Sequence, residues 1–318
     1  MTQTVSGRRP GSIGVHSIDH FGLLVPDMNV AQRFYEQFGL SVRSERARLT
    51  LSTHHDPHRW GVISEGPAKR LSYLSFGIFE DDEPAIADKL LSAGVKPIEA
   101  PPGAEPGGWW IAGFDKLPIN LRVAGKRSPN EKSAFTAAST APGVSGAIPN
   151  SKAPPVSPRR LSHVAIFTSS IPDAIEFYVS ALGLRLSDRS GDGVAFLHGA
   201  HGSDHHLLAL VASDHRGLHH VSWDVGSVQE IGLGAAQAAR GGYAAGWGLG
   251  RHVLGANYFY YVRDPWGSYC EYSADIDFIP ADCDWPAGDH APEDAMYLWG
   301  PPPPDDFATN YEPAVDCE

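Results

Sequence analysis

LSHVAIFTSSIPDAIEFYVSALGL, residues 161–184, opens the second half of the chain, and IDHFGLLVPDMNVAQRFYEQFGL, residues 18–40, opens the first. Both begin with the alternation of a strand, pass through a proline and an aspartate, and continue with apolar residues at helical spacing. The first helix carries Ala31, Phe34, Tyr35 and Phe38; the second opens at Asp173 and carries Ile175, Phe177 and Tyr178. His20 and Tyr35 stand fifteen residues apart, and so do His163 and Tyr178. Further on the halves stay in step. LSYLSFGIFEDDEPAIADKLLSAGV (71–95) matches LHHVSWDVGSVQEIGLGAAQAARGG (218–242), each an alternating strand, an amphipathic helix and a glycine turn. The repetition predicts an α+β fold of tandem paired βαβββ modules, their strands curled into two open barrels with helices outside.

Composition sets the boundaries. Residues 125–160 are rich in Ser, Ala, Pro and Gly without an apolar period, and read as a linker between a domain at 14–124 and another at 161–279. Residues 280–318 form a Pro- and Asp-rich tail whose Trp285, Tyr297 and Trp299 suggest packing over the mouth of a pocket. The 318 residues suffice for two cores. A net charge of −12 disfavours nucleic acid and anionic membranes as partners, so a small-molecule substrate is expected. No apolar run is long enough to span a bilayer, and the opening residues lack the apolar core of a secretory signal. Three cysteines (Cys270, Cys283, Cys317) without CxxC spacing suggest neither a disulfide framework nor a zinc site, and fit a reducing cytoplasm.

The fifteen histidines are the unusual count, nine of them between His163 and His252. His163 sits in LSHVAIF, His220 in LHHVSWDV, and Glu271 in YYVRDPWGSYCEY, a strand, a turn at Asp264–Gly267 and a returning strand. Three strands that each turn one polar residue inward bring two imidazoles and a carboxylate together, a set suited to a divalent first-row metal with positions left open. A lone strand histidine is more commonly a hydrogen-bonded core residue, whereas a carboxylate in an apolar barrel is costly unless paired or metal-bound.

The segment GRHVLGANYFYYVRDPWGSYCE (250–271) resembles the signature of the type I extradiol ring-cleavage dioxygenases of the vicinal oxygen chelate superfamily, through Gly250, His252, Tyr261, Asp264, Pro265, Gly267 and Glu271. Tyr260 is the one departure, standing where the pattern has an aliphatic residue or Phe. The resemblance runs from about His16 to Ile279. It implies His163, His220 and Glu271 as ligands of iron(II), with manganese(II) as the alternative, and dioxygen as co-substrate. It also implies an acid–base histidine about fifteen residues before the second ligand, which falls on His205. The adjacent His206 is the other candidate, and on an extended strand it faces the opposite way. Tyr261 and His252 are implied to bind or orient the substrate oxygens.

The first half lacks the set. His20 holds the first ligand position, but Tyr73 replaces the second, and only Asn120 and Arg122 stand near the third, so one metal per chain is expected. Phe196, Trp247, Leu249 and Arg251 are expected around the substrate and suggest an apolar ring substituent, Arg251 being the exception. His198, His201, His206, His215 and His219 are otherwise expected to be structural or solvent-facing. The implied reaction is meta cleavage of a catechol-type diol to a muconic semialdehyde-type product, in a protein expected to be a homo-oligomer. The alternatives are a glyoxalase-like isomerase, which would need a second carboxylate, and a metal-free small-molecule binding protein, which would leave the His/His/Glu set unexplained.

Overall fold

The computed structural model describes residues 7–45, 47–137 and 139–314; Cys317 and the first six residues lie outside that range. The first half contains β1 (Ser17–Val25), α1 (Met28–Phe38), β2 (Ser41–Glu45), β3 (Arg48–Ser52), β4 (Gly61–Glu65), β5 (Arg70–Ile78), α2 (Glu83–Ser92), β6 (Trp109–Ala112) and β7 (Pro118–Val123). The second contains β8 (Arg160–Thr168), α3 (Ile171–Ser180), β9 (Arg185–Ser190), β10 (Val194–His198), β11 (Ser203–Asp204), β12 (Leu208–Ala212), β13 (Gly217–Asp224), α4 (Val228–Arg240), β14 (Gly246–His252), β15 (Tyr258–Arg263) and β16 (Tyr269–Ala274). Three short strands follow: β17 (Phe278–Ile279), β18 (Gly288–Asp289) and β19 (Tyr297–Trp299).

Local chemistry places the strand–helix breaks. Asp27 accepts hydrogen bonds from the amides of Asn29 and Val30 and so caps α1, which ends at Gly39 in the left-handed region (φ 102°). The cap of α3 is Ser170, with Pro172 in its first turn, so this helix starts two residues before Asp173.

Strand order is β2-β3-β4-β1-β5-β7-β6 in one sheet and β18-β9-β10-β12-β8-β13-β16-β15-β14-β19 in the other. The repeat is carried into the pairing. β1 runs parallel to β4 and antiparallel to β5, as β8 does to β12 and β13; β5 runs parallel to β7, as β13 does to β16. Even the irregularities recur: the pairing skips one residue before His20 and one before Tyr73 in the first half, and one before His163 and one before His220 in the second. Two departures from four equal modules stand out. After α2 only a Pro97–Ile111 bridge marks where another strand would lie. The tail also joins the second sheet, β18 on one edge and β19 on the other.

The two sheets share one buried apolar cluster. Across it the Phe38 and Tyr272 rings stack at 4.0 Å, and the Tyr272 hydroxyl donates to the Phe38 carbonyl. Gln37 and Gln237 exchange side-chain to backbone hydrogen bonds between α1 and α4. No helix among the described residues is long and apolar enough to cross a membrane.

Candidate metal centre and active site

Strand register places the candidate ligands. His163 on β8 is paired with Ser222 on β13, Ser222 with Glu271 on β16, Glu271 with Tyr261 on β15, and Tyr261 with Trp247 on β14. Directly paired residues share a sheet face, and so does His220, two residues before Ser222 on β13. One inner face therefore carries both histidines, the carboxylate and the tyrosine. Two local devices serve this row. The Asp264 carboxylate accepts from the amides of Trp266 and Ser268, closing the turn that returns the chain at Gly267 (φ 99°). Gly250 lets β14 approach its neighbours, since a Cβ there would fall 2.5 Å from the Phe259 ring.

His163 Nε2 lies 3.2 Å from His220 Nε2 and 3.3 Å from Glu271 Oε2, and His220 Nε2 lies 3.8 Å from that oxygen. All three side chains are buried. Among the described residues this is the one group of three His, Cys, Asp or Glu side chains placed to share an ion. Glu271 Oε2 is buried without a hydrogen-bond partner, an expensive arrangement for a carboxylate oxygen. Donor atoms of one ion at about 2.1 Å stand about 3.0–3.4 Å apart. Two of the three separations fall in that range and the third, 3.8 Å, is wider, so the trio is close to the spacing of a first-row divalent metal site. Burial alone would raise the Glu271 carboxyl; the neighbouring His163 and His252 rings outweigh it and hold it below the usual range. Burial, with His219 and His163 beside it, holds the His220 imidazole well below its ordinary value, in the neutral form a ligand needs. Asn257 Nδ2 donates to Glu271 Oε1 at 3.1 Å and to Ser273 Oγ at 2.9 Å, leaving Oε2 as the oxygen next to the histidines.

The trio forms the floor of a cavity of about 460 Å³. Its walls include Val194, Phe196, Val211, Leu254, Met296 and Phe307, and the loop Ser190–Gly193. Among the described residues no Lys or Arg lines it; Asp192 is the charged residue on its wall besides Glu271. Tyr261 and His252 stand beside the trio. His252 Nδ1 lies 2.7 Å from the Met296 carbonyl, which only accepts, so Nδ1 carries the proton. Burial lowers the pKa of His252 and keeps the ring neutral, so Nε2 accepts from the Tyr261 hydroxyl at 3.0 Å. Burial, and then Glu271, push the Tyr261 hydroxyl well above its usual value, so it keeps its proton.

The expectation that His205 faces the reaction is not met. His206 lines the cavity, its ring 4.0 Å from that of His163, while His205 turns away to Asp188 and Trp285. The chain at 205–207 is no regular strand: β11 ends at Asp204 and β12 begins at Leu208, so alternation could not fix which of the two points inward. His219, expected to be structural, also lines the cavity. Of the four expected pocket residues only Phe196 lines it. Trp247 lies one layer back, stacked on Tyr261 at 5.4 Å. Leu249 packs on the apolar core, and Arg251 is held on Ala256 and Tyr258. A register shift between Gly248 and Gly250 reverses the alternation of β14, putting Trp247 and His252 on one face and Arg251 on the other. The tail does wall the cavity, through Pro292, Ala295, Met296, Phe307 and Ala308 rather than its tryptophans.

In the first half the corresponding space is filled. His20 bonds Asp19 at 2.7 Å and the Tyr73 hydroxyl at 3.1 Å, and the Tyr73 ring occupies the space over Gly22. Asn120 bonds Ser75 and the Gly107 carbonyl, and Arg122 lies 3.7 Å from Asp19.

Paired βαβββ modules around an inward His/His/Glu trio define a class, and the comparisons agree with it. Residues 160–272 match the Glyoxalase/Bleomycin resistance protein/Dioxygenase superfamily. The chain is 51% identical over 298 residues to Metapyrocatechase 2 of Cupriavidus necator, covering 94% of this chain and 93% of that one. It therefore belongs to the extradiol ring-cleavage dioxygenases of the vicinal oxygen chelate superfamily. Two solved structures share the fold. One is the Mn(II)-bound glyoxalase of Novosphingobium aromaticivorans (TM-score 0.74, 23% identity, 96% of this chain and 97% of that one). The other is 2,2',3-trihydroxybiphenyl 1,2-dioxygenase of Sphingomonas wittichii (TM-score 0.67, 20% identity, 90% and 98%).

Proposed function

We propose that this chain is an iron(II)-dependent dioxygenase that opens a catechol-type ring beside its two hydroxyls, using dioxygen and giving a muconic semialdehyde-type product. One observation carries the reading: the His163–His220–Glu271 trio, with its unpartnered carboxylate oxygen, is the polar floor of an otherwise apolar cavity. His163, His220 and Glu271 would hold the ion, which supplies a shared binding point for the diol and dioxygen and a path for electrons between them.

The chain's own residues do the rest. Tyr261 donates its hydroxyl hydrogen bond to His252 Nε2 and turns its oxygen lone pairs to the cavity, where they accept from a diol hydroxyl. His206 is the acid–base group, an imidazole beside the trio whose ring is kept neutral chiefly by burial, and then by the neighbouring histidines. Apolar walls keep water from the reacting centre. Their volume lies within the roughly 300–1,000 Å³ usual for small-molecule sites. Without a cationic wall residue, the cavity accepts a catechol with a neutral or apolar substituent and disfavours a carboxylated one. The isomerase alternative lacks the second carboxylate: no fourth such ligand joins the trio among the described residues.

Anaerobic reconstitution with iron(II), then mixing with catechol in air, tests the reading. Stoichiometric oxygen uptake with a new yellow chromophore is expected. Tight iron binding without oxygen uptake on catechol, methylcatechols or 2,3-dihydroxybiphenyl would overturn it.

A further inference from the structure

His205 and His206 are neighbours in sequence with opposite fates, and what lies behind His205 gives the pair a direction. His205 Nε2 is 2.8 Å from Asp188 Oδ2, and His205 Nδ1 is 3.0 Å from His206 Nδ1. Both histidines and Asp188 are buried. A carboxylate only accepts, so His205 Nε2 carries a proton. One proton can lie between the two Nδ1 atoms, and placed on His206 Nδ1 it makes His205 Nδ1 the acceptor. That leaves His206 Nε2, which has no protein partner among the described residues, as the lone-pair nitrogen on the cavity side.

Asp188 is held for this task. It sits on β9, and its Oδ1 accepts from the Gly288 amide at 2.9 Å and from His290 Nε2 at 2.8 Å. Its Oδ2 also receives the Trp285 indole N–H at 3.3 Å. All three donors come from the tail, where β18 pairs with β9 through Gly288 and Asp188. Burial alone would raise the Asp188 carboxyl, but the bonds from His205, His290 and Gly288 bring it down to about 2, so it stays a carboxylate.

We propose that Asp188 and His205 are positioning residues that hold His206 in one tautomer, proton on Nδ1 and Nε2 open to the substrate. The arrangement is the carboxylate–imidazole pair of acid–base sites lengthened by one ring. The proposal rests on the reading of His206 as the acid–base group.

Nitrogen-15 NMR of histidine-labelled, zinc-loaded protein reads the tautomer directly and needs no substitution in the relay; H206N identifies the resonances. The expected wild-type result is Nδ1–H on His206, and an Nε2–H ring overturns the proposal. Steady-state kinetics of the iron enzyme supply the second arm. Asp188→Asn should lower kcat by about 10²- to 10⁴-fold while KM for catechol stays within about threefold. Iron affinity should be unchanged, because neither residue touches a ligand. H206N separates the two readings. If H206N retains kcat, the acid–base assignment itself fails; if H206N loses it and a folded D188N retains it, only the relay fails. Should D188N not fold, the wild-type tautomer decides alone.

Discussion

Glu312, near the end of the described chain, is buried between the two halves, and Glu312→Gln is the perturbation with the most to say about how the tail is fastened. Its Oε1 accepts from Lys69 Nζ at 2.7 Å and from the Leu218 amide at 3.0 Å, and its Oε2 accepts from the Leu71 amide at 2.9 Å. Lys69 and Leu71 belong to the first sheet region, Leu218 to β13, so one carboxylate bridges both. A glutamine keeps the shape and one acceptor. It strips the counter-charge from an ammonium group that is 5% exposed and points an N–H₂ at the Leu71 N–H. An unsatisfied buried amide costs about 1–3 kcal/mol, and breaking one side of a buried ion pair costs about 3–5 kcal/mol in total. Urea unfolding followed by circular dichroism should therefore show E312Q less stable by about 3–5 kcal/mol. The double variant K69M/E312Q should recover about 1–3 kcal/mol relative to the sum of the singles. An E312Q protein within about 1 kcal/mol of wild type, or strictly additive singles, would refute the argument.

Acid should destabilise the fold through its buried histidines. Burial is the leading cause that lowers His16 to about 4, His198 to about 3 and His201 to about 4. The unfolded chain then takes up protons near pH 6.5 that the folded one refuses, so stability is full above that pH and falls between about 6.5 and 4, by up to about 1.4 kcal/mol per pH unit for each ring. Equal urea midpoints at pH 7.0 and 5.5 would contradict this. Asn257→Ala should weaken metal binding by about 10- to 100-fold in chelator competition, since Glu271 Oε1 loses its donor; unchanged affinity in a folded variant would show the amide to be idle. Tyr261→Phe should lower kcat/KM by about 10- to 100-fold, because a buried diol hydroxyl is left without its acceptor, and wild-type kinetics would exclude that contact.

Periodicity made the repeated architecture legible, because His20/Tyr35 and His163/Tyr178 sit at equal spacing on the same strand–helix unit, and even the bulge beside the second position recurs. The convergence of the trio was legible in part: each member lies on a strand, although bulges beside His163 and His220 interrupt the alternation there. What periodicity could not resolve lies where regularity stops. The choice between His205 and His206 falls in three residues between two strands, and the parity of β14 is reversed by a bulge that no residue pattern announces. Nor does sequence spacing reach across more than forty residues to bring Met296 to His252, or Phe307 to Tyr261.

The tail also imposes a timetable. Phe307, Ala308 and the Glu312 anchor follow His163, His220 and Glu271 along the chain, so a ribosome adds them later. A nascent chain can thus bring the three candidate ligands together while the wall over them is still unmade and water reaches the floor. Synthesis runs from candidate ligands to cover, so the polar floor of the cavity can take shape before the wall that shields it from water.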